Sequence, residues 1–331
     1  MSPQSSYRQI FGAVVIGRNE GERLRACLES MVDHVAGLVY VDSGSTDNSM
    51  QIVSDLGVMA VELDMSAPFT AARARNKGFS VLMQYYPEIK YIQFVDGDCE
   101  VSGEWPECAC YTLDEQQQVA VVCGRRRERY PDRTIYNQLC DIEWDAVVGD
   151  IIECGGDMLA RVEPFQNVNG FNAELIAGEE PDLCVRLRER GWKIHRIECD
   201  MTIHDAAMFH FSQWWKRAIR AGYAFAEINK LHRSSSCRIW KKEEKSNWLW
   251  GMSLPLIALL SCYNFILAGL IFVYPLQIVR IVISAKTNRT LKERVYYAFF
   301  CVLQKFPNMI GQAKFCIDFL SRRKSGIIEY K

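Results

Sequence analysis

Tyr91-Ile92-Gln93-Phe94-Val95-Asp96-Gly97-Asp98-Cys99-Glu100 is the stretch whose reading decides the fold. Tyr, Ile, Phe and Val suit a pleated, packed surface, so the run predicts a buried strand, and Gly97 permits a sharp exit at its end. Asp96 and Asp98 then stand where that strand runs out. In an open parallel sheet ligands bind outside the carboxyl ends of the strands, so the two carboxylates predict a crevice where a hard divalent cation meets a phosphate. Asp-x-Asp by itself is also the composition of an ordinary solvated turn, and its neighbours decide between the two.

Upstream, Phe11-Gly12-Ala13-Val14-Val15-Ile16-Gly17 is an apolar run that stops at glycine before polar Arg18-Asn19-Glu20, which suits a first buried strand feeding a ligand loop. Leu24, Cys27, Leu28, Met31, Val32 and Val35 recur at helical spacing and predict a helix over 22–35. Leu38-Val39-Tyr40-Val41 repeats the strand, followed by the polar turn Asp42-Ser43-Gly44-Ser45-Thr46-Asp47-Asn48-Ser49. Strand-then-helix units in succession predict a doubly wound α/β sheet. A third strand is expected at 58–63 and a helix at 69–86 that carries Arg73, Arg75, Asn76 and Lys77. No Gly-x-Gly-x-x-Gly stands in these turns, which disfavours a dinucleotide enzyme.

Downstream, Val119-Ala120-Val121-Val122-Cys123-Gly124 predicts another strand, leading into Arg125-Arg126-Arg127-Glu128-Arg129, a cluster that either faces phosphates or is solvated. Pro181, Leu183, Leu187 and the closing Gly191 predict a helix over 181–190, which puts Glu180 at a helix N-terminus. A further strand is expected at 192–197 and a long amphipathic helix at 209–230.

The ordered set resembles the inverting family-two glycosyltransferases with the GT-A fold. It consists of Asn19-Glu20, Val41-Asp42-Ser43-Gly44-Ser45-Thr46-Asp47, Ala74-Arg75-Asn76-Lys77-Gly78, Asp96-Gly97-Asp98, Cys154-Gly155-Gly156-Asp157, Asn169-Gly170-Phe171-Asn172 and Gly178-Glu179-Glu180-Pro181-Asp182-Leu183, over about residues 10 to 225. The resemblance implies a GT-A, Rossmann-like α/β catalytic domain with a mostly parallel sheet. It implies that Asn19 and Glu20 belong to the donor site, that Asp42 recognises the base and Arg75 the nucleotide, and that Asp96 contacts ribose or uracil. Asp98 becomes the ligand of Mg2+ or Mn2+, and Gly156 and Asp157 border the donor sugar. Gly97 departs from the Asp-Ala-Asp or Asp-Asp-Asp arrangement usual in the family and leaves both carboxylates in place. Glu180 is the implied catalytic base and Asp182 the second choice, with glutamate where the family usually has aspartate. His204 completes the metal shell if it matches the imidazole seen there in several GT-A enzymes; otherwise it is structural. Gln213-Trp214-Trp215-Lys216-Arg217 resembles the Gln-x-x-Arg-Trp signature of processive polysaccharide synthases with its order changed, which implies single addition instead of polymerisation.

The chemistry of such a site follows from charge. A nucleoside diphosphate leaving group gains negative charge as its bond to the sugar breaks, and a cation held at Asp98 neutralises it. On the opposite face a carboxylate takes the proton of an attacking hydroxyl. At a helix N-terminus beside a metal, Glu180 is expected to stay ionised and so available as that base.

Composition sets the remaining bounds. With 331 residues and a net charge of -1, the chain holds one large domain or two smaller ones and lacks the basic footprint of a nucleic-acid binder. Its 13 cysteines show no Cys-x-x-Cys spacing, and residues 1–10 are polar with no apolar signal region, so the expectation is buried thiols in a reducing, cytosolic setting. Residues 248–284 carry no charged side chain except Arg280, enough chain for a transmembrane or re-entrant hairpin turning near 261–264. Lys241, Lys242 and Lys245 precede it, and Lys286, Arg289, Lys292 and Arg294 follow, so both flanks are expected on the cytosolic side.

The expected organisation is therefore a GT-A domain at 8–230, a basic linker at 231–247, the hairpin at 248–284, and amphipathic interfacial helices broken at Pro307 over 285–331. The expected activity is metal-dependent, inverting transfer of a sugar from a nucleotide-diphosphate sugar donor to a hydroxyl of a glycan or lipid-linked acceptor. The place is the inner (cytoplasmic) membrane, catalytic domain in the cytosol, in cell-surface polysaccharide synthesis. A polyprenyl-phosphate sugar synthase and a non-catalytic nucleotide-sugar-binding membrane scaffold are the alternatives; the motif at 178–183 favours a hydroxyl acceptor over the first.

Overall fold

Apolar runs without polar alternation have no wet face to offer, so the chain covers them with helices on both sides. In the computed structural model, which describes residues 7–260, 269–284 and 289–322, β1 (Phe11–Gly17) and β2 (Gly37–Asp42) are buried almost throughout and pair in parallel. Between and after them lie α1 (Glu22–Glu29), α2 (Ser49–Asp55), β3 (Met59–Glu62) and α3 (Ala71–Tyr85), and then β4 (Tyr91–Asp96), which pairs in parallel with β1. The chain continues through β5 (Cys99–Val101), α4 (Trp105–Glu115), β6 (Val119–Glu128), α5 (Ile135–Trp144), β7 (Gly149–Ile151), β8 (Met158–Arg161), α6 (Val162–Asn167), α7 (Glu179–Glu189) and β9 (Lys193–His204).

The sheet order is β3-β2-β1-β4-β8-β6-β9-β5, with β7 on β9. Because β8 is antiparallel to both β4 and β6, while β6 and β9 are parallel, strands β1, β2, β3, β4, β6 and β9 all point one way. The sheet is thus mostly parallel, and β1, β2 and β4 deliver their carboxyl ends side by side. Gln93 interrupts the apolar run of β4, yet its amide accepts from Trp105 Nε1 at 2.8 Å and donates to the Phe94 carbonyl, so no polar group is buried unpaired.

Several boundaries differ from the sequence expectation, each for a local reason. The helix expected over 22–35 stops at Glu29, because the Ser30 hydroxyl bonds back to the Cys27 carbonyl at 2.7 Å and accepts from Val101 N, spending its polarity outside the helix ladder. The strand expected to end at Gly124 runs on to Glu128, since residues 125–128 pair with the extended end of β9. Each arginine of the run has a carboxylate partner. Arg125 pairs with Asp141 and Asp145, Arg126 with Asp157, Arg127 with Asp200 and Arg129 with Glu100. The strand expected at 192–197 extends to His204, and the helix expected from 181 begins at Glu179.

A first compact unit runs to Ala207 and includes Ser235–Cys237; a second comprises Met208–Ser234 and the residues from Arg238 on. The helix expected over 209–230 is α8 (Phe211–Leu231), which belongs to the second unit. Gln213 Oε1 accepts from Phe209 N and His210 N at 2.8 and 2.9 Å, and Trp214 packs edge-on to Phe300, so this part of the synthase-like signature caps and buries a helix. The unit continues with α9 (Lys241–Trp248), a π turn (Leu249–Ser253), α10 (Leu254–Leu260), a short turn (Gly269–Phe272), α11 (Val273–Ser284), α12 (Leu291–Leu303) and α13 (Lys305–Leu320).

The transmembrane helix expected within 248–284 is not found among the described residues, where no helix is long and apolar enough to cross a membrane. Pro255 and Pro275 each sit in the first turn of a helix, α10 and α11, where a missing N–H costs no ladder bond. The turn expected at 261–264 lies outside the described residues, as does Lys286. The break expected at Pro307 falls at Gln304, with Pro307 in the first turn of α13 where a missing N–H costs no ladder bond.

Within this unit α8 and α13 cross at bare backbone: a methyl on Gly222 would meet the Asn308 carbonyl at 2.0 Å, and one on Gly311 would meet the Ile219 carbonyl at 2.0 Å. Neither carbonyl can rotate away within its helix. Gly222→Ala and Gly311→Ala are each expected to destabilise the protein by about 1–3 kcal/mol through overpacking. Thermal unfolding checks this; an unchanged Tm in both variants would refute the tight crossing.

Candidate active site

Arg75, on α3, is brought wholly into the interior with its guanidinium at 2 % exposure, and three carboxylates from two other elements converge on it. Its Nη2 donates to Asp96 Oδ1 at 2.8 Å, and its Nη1 donates to Glu179 Oε1 at 2.8 Å and to Glu180 Oε1 at 3.3 Å. The guanidinium face also lies 5.5 Å from the Phe171 ring centre. Three surrounding carboxylates hold the guanidinium firmly in its charged form even though burial opposes it. Arg75 is thus spent on protein carboxylates; the fork predicted to face a nucleotide organises the acids that line the site.

Glu179 and Glu180 occupy the first turn of α7, where the helix dipole favours negative charge. That does not suffice to keep Glu180 strongly acidic. Burial, then the neighbouring Glu179 charge, push its carboxyl up to about 7 against the opposing pull of Arg75. The expectation of an ordinary ionised carboxylate is corrected accordingly: one guanidinium does not neutralise three acids, and the excess appears as proton affinity at Glu180. Glu180 keeps 16 % exposure and Asp96 34 %, so both reach the cleft, whereas Glu179 at 5 % is sealed.

Gly156 forms the floor beside this cluster. A Cβ there would stand 2.4 Å from Arg75 Nη2 and 2.9 Å from Glu180 Oε1, so only glycine leaves the ion cluster intact. The next residue, Asp157, was expected at the donor sugar and is instead fully buried. It accepts from Asp96 N at 3.2 Å, Thr202 Oγ1 at 2.8 Å and Arg126 Nη2 at 2.8 Å, and thereby locks the end of β4 to β6 and β9. Asp182 is likewise withdrawn: at 1 % exposure it takes both Nε and Nη2 of Arg186, at 2.8 and 2.6 Å.

Asp98 and His204 meet at the junction of β5 with the end of β9, with Nε2 and Oδ2 3.2 Å apart and both side chains buried. Behind the imidazole, Nδ1 lies 4.0 Å from Glu128 Oε2, an oxygen fixed by Ala206 N, and Trp144 stands edge-on to the ring at 4.8 Å. A carboxylate oxygen, an imidazole nitrogen and a carboxylate behind the ring form a donor set that fits a divalent cation such as Mn2+ or Mg2+. Cys99 lies within the same group; its thiol donates weakly to Asp98, and burial with the charges of Asp157 and Asp98 raises its pKa.

The first loops form a third group. Asn19 adopts a left-handed backbone, φ 58°, which asparagine tolerates, and its Oδ1 accepts from Thr46 N at 2.7 Å, stapling the β1 loop to the β2 loop. Glu20 lies against Gly97 and pairs with Arg23 at 2.7 Å. Asp42 uses Oδ2 to hold Gly44 N and Ser45 N and Oδ1 to accept from Tyr40, so it shapes its own turn. The structure therefore joins Arg75, Asp96, Glu180 and Gly156 directly, sets Asp98 and His204 beside them, and turns Asp157 and Asp182 inward. Thr202 is a participant that sequence reasoning gave no role, and Glu179, Arg126 and Glu128 were read only as members of their motifs. Thr202 alone had a signal, sharing a strand face with His204 two residues on.

Residues 13–157 match the family model described as Glycosyl transferase family 2. No curated protein sequence matches the chain. Among solved structures, the mannosyltransferase PcManGT from Pyrobaculum calidifontis, in complex with GDP-Man and Mn2+, superposes with a TM-score of 0.65 at 15% identity, over 96% of this chain and 90% of that one. A glucosyl-3-phosphoglycerate synthase from Mycobacterium tuberculosis, with Mn2+, uridine-diphosphate and glucosyl-3-phosphoglycerate, gives 0.50 at 15% identity over 69% and 81%. These likenesses show the fold, a GT-A-like α/β domain; together with the family match over residues 13–157 the chain is a transferase.

Removing the cation from a buried cluster of acids leaves them uncompensated. Arg75→Met is expected to cost about 3–5 kcal/mol of stability, with Arg75→Lys recovering only part because an ammonium lacks the fork. Urea unfolding followed by circular dichroism measures both; a methionine variant as stable as the parent would remove Arg75 from the centre of the site.

Proposed function

We propose that the chain is a metal-dependent, inverting glycosyltransferase that moves a sugar from a nucleotide-diphosphate donor to a hydroxyl of a glycan or lipid-linked acceptor. The observation that carries this reading is the Glu180 carboxyl, held at a helix N-terminus in contact with Arg75, partly open to the cleft, and raised to about 7. A base poised near the working pH takes a proton readily and returns it readily.

In this reading Asp98 and His204 hold Mg2+ or Mn2+, which when bound neutralises the charge growing on the departing diphosphate. Asp96, anchored by Arg75, Asp157 and the end of β4, fixes the nucleotide side of the cleft, and the stapled loops of Asn19, Glu20 and Asp42 border the base. Gly156, which lets Arg75 and Glu180 pack directly on the main chain, borders the sugar in this reading. Glu180 accepts the proton of the acceptor hydroxyl, whose oxygen forms the new bond to the anomeric carbon as the bond to the diphosphate breaks with its electron pair. One displacement inverts the centre. Structures of this fold solved with GDP-Man and Mn2+, and with uridine-diphosphate and Mn2+, support a nucleotide sugar and a divalent cation as the ligands.

The same reading puts the protein at the cytoplasmic face of the inner membrane, in cell-surface polysaccharide synthesis. Its support is the second unit, where Leu256, Leu259, Phe272, Leu276 and Ile283 stand exposed beside the basic residues Lys241, Lys242 and Lys245 of the same chain segment. Such a surface suits attachment to a membrane without crossing it.

Glu180→Gln is expected to lower turnover by about 10²–10⁴-fold while the nucleotide-diphosphate donor still raises the Tm. In the parent, kcat/KM falls about tenfold per pH unit below pH 7, because the base must be ionised, and levels off above it. Parental turnover in the glutamine variant would refute the base. Separately, stabilisation by a nucleoside diphosphate is expected to require Mn2+ and to vanish in Asp98→Ala and His204→Ala; no shift with any nucleotide would refute the donor site.

A further inference from the structure

At the far end of α8 from its capped N-terminus, the second unit contains a cavity of about 580 Å³ that none of the sugar-transfer chemistry uses. One side is cationic: Lys230, Arg233, Arg238 and Lys241 face the single carboxylate of Glu244, an excess of positive charge in a concave wall. The other side is the apolar shelf of α13, made by Phe315, Phe319 and Leu320. The two phenyl rings stack at 6.0 Å, and Lys230 Nζ stands 4.9 Å above the Phe319 ring.

The cationic side is built, not merely crowded. Asn229, at 1 % exposure, accepts from Arg238 Nε, and Arg238 Nη1 reaches the Arg233 carbonyl at 3.4 Å, so this guanidinium is held in place. Among the described residues no carboxylate lies within ion-pair distance of Lys230, Arg233 or Lys241. Cations gathered without counter-charges repel one another, and an anion relieves that repulsion.

A soluble phosphate would use the cations and leave the shelf wet. Leu320 at 80 % and Phe319 at 54 % exposure carry the apolar wall out past the cavity mouth, which a molecule with a phosphate at one end and hydrocarbon at the other would cover. We propose that this cavity binds the phosphate-bearing headgroup of an anionic membrane lipid, with the phosphate on Lys230, Arg233, Arg238 and Lys241 and the start of the acyl chain on Phe315 and Phe319. The proposal deepens the membrane-surface reading above and rests on it, converting diffuse attachment into one lipid site.

Flotation of the full-length protein with vesicles tests it, comparing phosphatidylcholine alone with phosphatidylcholine containing phosphatidylglycerol. The parent is expected to float with the anionic vesicles. Arg233→Glu/Lys241→Glu, both at exposed cavity positions, is expected to lose roughly tenfold or more of that binding, whereas Lys216→Glu/Lys292→Glu, the same charge change at exposed positions outside the cavity, keeps most of it. Retained stabilisation by nucleoside diphosphate and Mn2+ shows that the variants are folded. Equal losses in the two variants would mean a diffuse basic surface, and binding that ignores lipid charge would mean apolar contact alone; either overturns the site while membrane attachment stands. A parent that floats with neither vesicle overturns both readings. Cavity-dependent stabilisation by inorganic phosphate without flotation would assign the cations to a soluble anion and overturn the lipid.

Discussion

The Arg75 guanidinium carries one positive charge into a space that holds three carboxylates, and most of the site is arranged around that imbalance. Buried like charges cannot all stay ionised without a cation and a supply of hydrogen bonds. Arg75 and the N-terminus of α7 supply most of what is needed, which is why two glutamates can begin a helix there. What they do not supply remains as a raised proton affinity on the more open of the two. The glycine at 156 belongs to the same constraint, since any side chain would press on the cluster.

Around this centre the acids divide by what their oxygens already hold. Asp157 and Asp182 are saturated by partners inside the protein, and they stiffen the frame. Asp96 and Glu180 each give one oxygen to Arg75 and keep part of their surface open. Asp98 faces an imidazole instead of a guanidinium, which suits a shared cation better than a fixed internal ion pair. Frame, proposed base and proposed metal ligand thus differ through their partners, although residue type is the same or nearly so.

That division also marks how far the sequence could be read. The strands of the first half were legible because Val, Ile, Phe and Tyr in unbroken runs allow few other arrangements, and Asp96 and Asp98 at the end of one of them announced the crevice. The partners of Asp157 and Asp182 were not read, because spacing shows where a carboxylate starts and not which neighbours consume it. Arg186 follows Asp182 by one helical turn, and that pairing was available as a signal; Thr202 and Arg126 come from strands whose register with Asp157 exists only in three dimensions. The run of arginines at 125–129 misled for the same reason, since each partner lies at a distance in sequence or across a strand. In the second half, low charge over 248–284 resembled a membrane hairpin, while the helices described there are short and none is long and apolar enough to cross a membrane.

The crossing of α8 and α13 at Gly222 and Gly311 has a consequence beyond stability. One helical turn further on, Ala226 and Phe315 line opposite walls of the cationic cavity, so the width of that cavity is set by two backbones already in contact. Helices locked in this way cannot slide or roll to fit an occupant. A ligand there meets walls whose spacing is already fixed, and the ordering entropy of association is confined to a few lysine and arginine rotamers. One side of the cavity is thus unyielding, and any adjustment to an occupant falls to the lysine and arginine side chains that line the rest.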